Sequence, residues 1–297
     1  MVNELSSQGT GFVVGVDGSV ASAGALSWAV REAVRRGDRV VAVTAWSRPA
    51  VPVGVSGMVV MESAEPYHEM AERVLDDAVR GAAAQLAADE YVDIERRAIE
   101  GPAGRVLTHL ADGATMLVVG RHGAGRRFGS TTGYCLRHAT PPVVVVGEKS
   151  PPEATRVVVG VDGSDSSLNA LRWAAAEAQL HDRPVTIVRA WTMTTAPSPE
   201  GDRTGHVPPF EDWGRAAADE TRTWVEAALG EQGRLVTRIE ALHGHAARSV
   251  LEFVREDDLL VLGSRGRGGF RELLLGSVGQ QVAEHAACPV VVVRHPH

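Results

Sequence analysis

Lysine is almost missing from this chain: Lys149 is the single lysine among 30 basic residues. The 37 acidic residues outnumber them, for a formal net charge of −7. That balance excludes the global positive field on which nucleic-acid binders depend. Cysteine occurs only at Cys135 and Cys288, too few for a disulfide framework. No apolar run approaches the ~20 residues of a membrane span. The opening MVNELSSQGT lacks the basic-then-apolar pattern of a signal peptide. These absences lead to the expectation of a cytoplasmic protein with neither membrane nor nucleic acid as partner. Catalytic signatures are missing too. There is no GxxxxGK[ST] and no GxSxG, and "HEMAE" at 68–72 lacks the second histidine of a zinc-protease helix. His243 and His245 have metal-ligand spacing but no third ligand nearby in sequence.

What the chain has in abundance is repetition. "VVGVDGS" at 13–19 returns at 158–164, "ALSWAVREA" at 25–33 returns as "ALRWAAAEA" at 170–178, and "RHATPPVVVV" at 137–146 returns as "EHAACPVVVV" at 284–293. A period near 145 residues is domain-sized. It divides the 297 residues into domains at 1–147 and 156–297, with a linker at 148–155 containing "SPPE".

Each copy alternates short β-branched runs with amphipathic stretches. In the second copy strands are predicted over 157–161, 185–190, 235–241, 259–262 and 290–293, and helices after Ser164 or Ser166 and over 211–229, 246–254 and 277–285. This βα alternation implies two tandem doubly wound, Rossmann-like α/β domains, each with a five-stranded parallel sheet. Ligands of such folds lie beyond the carboxyl ends of the strands.

Three features fall at that edge. "VDGS" places Asp17 and Asp162 after the first strand of each copy; each is either a turn-and-cap residue or a ligand for a ribose hydroxyl or metal ion. "GSRGRGGFRELLLGS" at 263–277 links a strand to a helix, with glycines, arginines and a helix N-terminus that suit a polyphosphate. The loops at 47–66 and 192–209 suit either a lid or a tolerated surface insertion. His138 and His285 recur before the last strands, where helix-terminal packing is expected.

With these residues in view, each half resembles the universal stress protein family, and the whole chain looks like one of its tandem members. The resemblance rests on "VVVGVDGS", "RWAAAEA" and "VLGSRGRGGFRELLLGSVGQQVAEHAACPVVVV". The family's ATP-binding pattern, G-x2-G-x9-G-[ST], matches Gly263, Gly266, Gly276 and Ser277. The resemblance therefore implies ATP, with or without Mg2+, held by Gly160, Asp162 and Ala190 and by Ser264, Arg265, Arg267, Gly268, Gly269 and Val278 of the glycine-rich segment. Copy one departs from the pattern. A literal match ends at Gly133-Tyr134; anchoring on "HA-x-x-P" instead aligns Gly129-Ser130 with Gly276-Ser277 and shortens the loop by four residues. Its implied site is Gly15, Asp17, Ala45, Gly120, Arg121, His122, Gly123, Gly125, Gly129, Ser130 and Thr131.

The resemblance further implies that the last strands of the two copies pair, making an intrachain pseudo-dimer. Tandem chains would then associate as homodimers, and a protein partner would read the nucleotide state. A nucleotide-dependent regulator is expected, at most a slow ATPase. A structural stress protein without nucleotide and an ATP-using adenylating hydrolase stay open as alternatives. Replacing Gly263 by alanine is expected to lower ATP affinity with little change in fold.

Overall fold

The computed structural model describes residues 11–48, 63–121, 130–148, 153–195, 209–266 and 275–294. The chain divides into two compact units, Met1–Pro141 and Pro142–His297.

The first unit runs β1 (Gly11–Gly15), α1 (Val20–Arg36), β2 (Arg39–Trp46), α2 (Glu65–Ala83), β3 (Ile94–Glu100), α3 (Ala103–Leu110), β4 (Met116–Gly120) and α4 (Ser130–His138). Its strands are parallel in the order β3-β2-β1-β4. Helices α1 and α2 pack together, as do α3 and α4. The reason is visible in the strands: Phe12, Val13 and Val14 of β1 and Met116–Val119 of β4 are all buried, so neither face of the sheet can meet water.

The second unit opens on β5 (Val143–Val146), the fifth strand of the first repeat. It continues with β6 (Arg156–Gly160), α5 (Asp165–Leu180), β7 (Val185–Trp191), α6 (Phe210–Leu229), a 3-10 turn (Gly230–Leu235), β8 (Val236–His243), α7 (Ala246–Phe253), β9 (Asp258–Gly263), α8 (Ser277–His285) and β10 (Val290–Val293). The five strands of the second repeat are parallel in the order β10-β9-β6-β7-β8. This is the doubly wound sheet that the alternation predicts. β5 lies antiparallel to β10, pairing Val145 with Val290, Val144 with Val291 and Val143 with Val292. The two last strands thus pair as expected. All eight valines of these strands are buried, and burying each contributes about 1.5–3 kcal/mol as an upper range.

Two charged features support the second unit from within. Asp258, with no exposed surface, accepts from Arg156 Nε at 2.6 Å and Nη2 at 3.0 Å and from the Arg255 N–H at 2.7 Å. The hydrogen bond to Asp258 raises the Arg156 pKa further above its usual range. Arg189, buried on β7, donates to the Ala217 carbonyl at 2.9 Å, pairs with Glu220 at 2.6 Å and lies over the Trp224 ring at 4.3 Å. Both ion pairs belong to the scaffold. No helix among the described residues is long and apolar enough to cross a membrane.

Candidate functional site

The site is assembled where β6, β7 and β9 end. The turn after β6 is shaped by Gly163, whose φ of 77° lies in the left-handed region. That turn brings the Asp162 carboxylate back over its own chain. Asp162 Oδ1 accepts from the Ser164 N–H at 3.0 Å and from Ser164 Oγ at 2.6 Å. Ser164 is the cap of α5, its hydroxyl accepting from the Ser167 N–H at 3.3 Å. Of the two serines that sequence leaves as caps, Ser166 serves elsewhere. Its Oγ accepts from the Arg265 N–H at 3.2 Å, tying α5 to the glycine-rich segment.

The first repeat repeats this construction. Gly18 has φ 79°, and Asp17 Oδ1 accepts from the Ser19 N–H at 3.0 Å and Ser19 Oγ at 2.5 Å. Ser19 caps α1. Asp17 is exposed, whereas Asp162 is half-buried.

The glycine-rich segment starts at the end of β9. The Ser264 N–H donates to the Val293 carbonyl at 2.9 Å, and Gly276 returns to donate to the Ser264 carbonyl at 2.8 Å. The two ends of the segment are therefore pinched together, and α8 starts beside them. Its first residue is Ser277, followed by Val278, and no side chain caps it. The opening N–H groups of an uncapped helix are suited to an anion. Gly266 faces Asp162: a Cβ there would lie 2.6 Å from Asp162 Oδ2. Glycine at this point leaves room for the carboxylate.

Gly263 has a different reason to be glycine. A Cβ there would lie 2.7 Å from the Ser166 carbonyl carbon and oxygen. Gly120 is similar, with the Ala21 carbonyl carbon at 2.6 Å and the Ser22 nitrogen at 2.7 Å. The first glycine of each motif lets the start of α5 or α1 press on the strand end. The expectation that Gly263→Ala would leave the fold little changed is corrected by this contact. Gly15 and Gly160 end β1 and β6, backed by the side chains of Leu107 and Leu262.

Ala190 lies on an overhang. β6 pairs with β7 only as far as Gly160 opposite Val188, while β8 follows β7 through Ala190 opposite Leu242. Among the described residues one backbone edge of Ala190 has no strand beside it, on the side of Asp162. Ala45 of β2 is placed alike: β1 stops opposite Val43, and β3 continues opposite Ala45 at Ile99. A free peptide edge of this kind offers a donor and an acceptor to a heterocycle.

In the first repeat α4 opens on Ser130, which is exposed, with Thr131 half-buried. Thr132 Oγ donates to the Gly120 carbonyl at 3.2 Å, and Arg121 follows β4 directly. His122, Gly123, Gly125 and Gly129, like Arg267, Gly268 and Gly269 of the second repeat, lie outside the described residues. His243 packs its ring against Trp191 and Phe210 at 4.9 and 4.8 Å. His285 Nδ1 is 2.9 Å from the Gln281 carbonyl of its own helix, and His138 lies against Tyr134.

Sequence reasoning misses the bond between Ser166 and Arg265 and the pairing of Arg156 with Asp258. The signal for the second was present: a basic and an acidic residue each start an apolar strand, and those strands are neighbours.

Comparison with known proteins agrees with this architecture. The model of the universal stress protein family matches residues 11–147 and again 153–294. A universal stress protein of Mycobacterium tuberculosis is 29% identical over 303 residues, covering 96% of each chain. Another, of Mycolicibacterium smegmatis, is 31% identical over 299 residues, covering 96% of this chain and 97% of that one. Among solved structures, a universal stress protein of Archaeoglobus fulgidus superposes with a TM-score of 0.68 at 18% identity, covering 96% of this chain and 98% of that one, a likeness of fold. With matches over both repeats, the chain belongs to the universal stress protein family as two of its domains in tandem.

Proposed function

We propose that the chain is a nucleotide-binding regulator and that its second unit binds ATP. The observation that carries this reading is the convergence of the Asp162 carboxylate, the pinched Ser264–Gly276 base and the uncapped start of α8. These residues fit the group. The open edge of Ala190 would take the adenine, Asp162 a ribose hydroxyl or a Mg2+ ion, and the N–H groups of Gly266, Ser277 and Val278 the phosphates. Bound ATP would supply a charged phosphate chain to those N–H groups. We infer binding rather than turnover, with ATP occupancy as the state read by a protein partner in the cytoplasm and homodimers of tandem chains as the assembly. Asp17, Ala45 and Ser130 suggest a second site in the first repeat.

The test is to purify the protein without added nucleotide, denature it and quantify what is released per chain by chromatography and mass spectrometry, followed by titration with ATP. Two ATP per chain mean that both repeats bind, and one assigns the function to a single repeat. No release and no binding on titration refute the reading.

A further inference from the structure

β8 is an edge strand. Among the described residues it pairs with β7 on one side and with no strand on the other. It is eight residues long and holds no proline. Its outer side therefore presents a row of N–H and C=O groups to any strand that can align with them. Thr237 is an extra residue in the ladder, since Val185 faces Val236 and Thr186 faces Arg238. From Arg238 to His243 the pairing with β7 is one to one. Arg238 is exposed, Glu240 is half-buried, and their side chains pair along the strand.

Charges on an edge usually keep other strands away. Their order on β8 admits one partner. Side chains alternate between faces, so two copies of one strand can lie antiparallel about a two-fold axis only with some residue opposite itself. Centred on Arg238 or on Glu240, the axis sets like charges against each other. Centred on Ile239, it sets Arg238 of each copy against Glu240 of the other, Thr237 against Ala241 and Val236 against Leu242. Of these three registers only the last is complementary in charge. The first repeat lacks this property at its own edge. There Arg96 faces Ala42 as Ile239 faces Ile187, so the same axis would set Arg96 against Arg96. Arg96 instead pairs with Asp76 of α2 at 3.2 Å.

Resting on the homodimer reading above, we propose that the outer edge of β8 is where two copies of the chain join, antiparallel and centred on Ile239. Main-chain hydrogen bonds supply the attraction, and the two Arg238–Glu240 pairs across the axis fix the register and the choice of partner.

The test is sedimentation equilibrium of the full chain without nucleotide, at about 0.15 M salt to screen the net charge of −7 between copies. The samples are the parent, Arg238→Glu, Glu240→Arg and an equal mixture of the two variants. The parent is expected to dimerise, and each variant alone to dimerise roughly tenfold more weakly, because like charges then oppose each other twice. The mixture should regain the parent's association. Each variant supplies the charge that the other lacks, while the pair within each chain stays broken. Ile239→Cys should form a covalent dimer on mild oxidation, opposite residues being within disulfide reach, and the native Cys135 and Cys288 are buried. Variants that associate as the parent does, a mixture no tighter than its components, or Ile239→Cys chains that fail to cross-link overturn the inference and leave the homodimer reading standing. A monomeric parent overturns the homodimer reading as well, and leaves the β8 edge to a strand of a different polypeptide.

Discussion

Exchanging Gly263 for alanine separates two reasons for a glycine. If the residue served only to let phosphates approach, the unliganded protein would not notice a methyl group. The contacts say otherwise: the new Cβ would lie 2.7 Å from the Ser166 carbonyl carbon and oxygen. Those atoms are main chain in the first turn of α5 and cannot swing aside. Relief requires a shift of β9 against α5. Overpacking of this kind costs about 1–3 kcal/mol, and a backbone obstacle puts the expected cost at about 2–3 kcal/mol. For a unit of this size that corresponds to a fall in Tm of roughly 4–12 °C. The assay is differential scanning calorimetry without nucleotide. Gly276→Ala is the matched control: its Cβ would meet the Ser264 carbonyl oxygen at 3.6 Å, an ordinary contact, and its φ of −73° suits any residue. It should melt within about 0.5 kcal/mol of the parent. A Gly263→Ala protein that melts with the parent, or a Gly276→Ala protein that falls as far, refutes the reasoning.

Arg156→Met strands the Asp258 carboxylate, which has no exposed surface, without its bidentate partner, so urea unfolding should show a loss of about 3–5 kcal/mol. Adding Asp258→Leu should restore at least half of it. Ser164→Ala removes the cap of α5 and the hydroxyl that holds Asp162, costing about 1 kcal/mol in the same assay and weakening ATP binding. Burial pushes the Cys135 thiol up to about 12, from 9.0 when unperturbed. In the native protein at pH 8 it should therefore resist iodoacetamide, as read by peptide mass mapping, and react on unfolding. Because the folded value is the higher, its contribution to stability is complete below about pH 9 and is lost as pH rises from there toward 12.

Much of this molecule was legible from periodicity. The helix over 277–285 and the strand over 290–293 occur with the expected limits, because a Gly-Ser start and an all-valine run bounded by proline leave little choice of register. The Asp162 turn was legible because Asp, Gly and Ser each have a local reason to be there. What stayed hidden depends on partners distant in sequence. Sequence offers Ser164 and Ser166 alike as caps, and only the fold separates them: the Ser166 hydroxyl accepts from the Arg265 N–H, 99 residues away. Arg156 and Asp258 are 102 residues apart and meet only because β6 and β9 are neighbours. The glycine pattern pointed to a phosphate cradle, yet it could not separate Gly263, which makes space for a helix, from Gly266, which makes space for a carboxylate.

The antiparallel pairing of β5 with β10 has a consequence for biosynthesis. Val143–Val146 leave the ribosome about 145 residues before Val290–Val293, their partners. At roughly 5–20 residues per second, that interval lasts on the order of 7–30 seconds. Throughout it the nascent chain carries an unmatched tetravaline edge, the kind of surface that recruits a stray strand from a neighbouring polypeptide. Polysomes loaded with this message thus present many identical edges at once, and prompt completion of the second repeat, or a chaperone that covers the first, becomes a condition of yield.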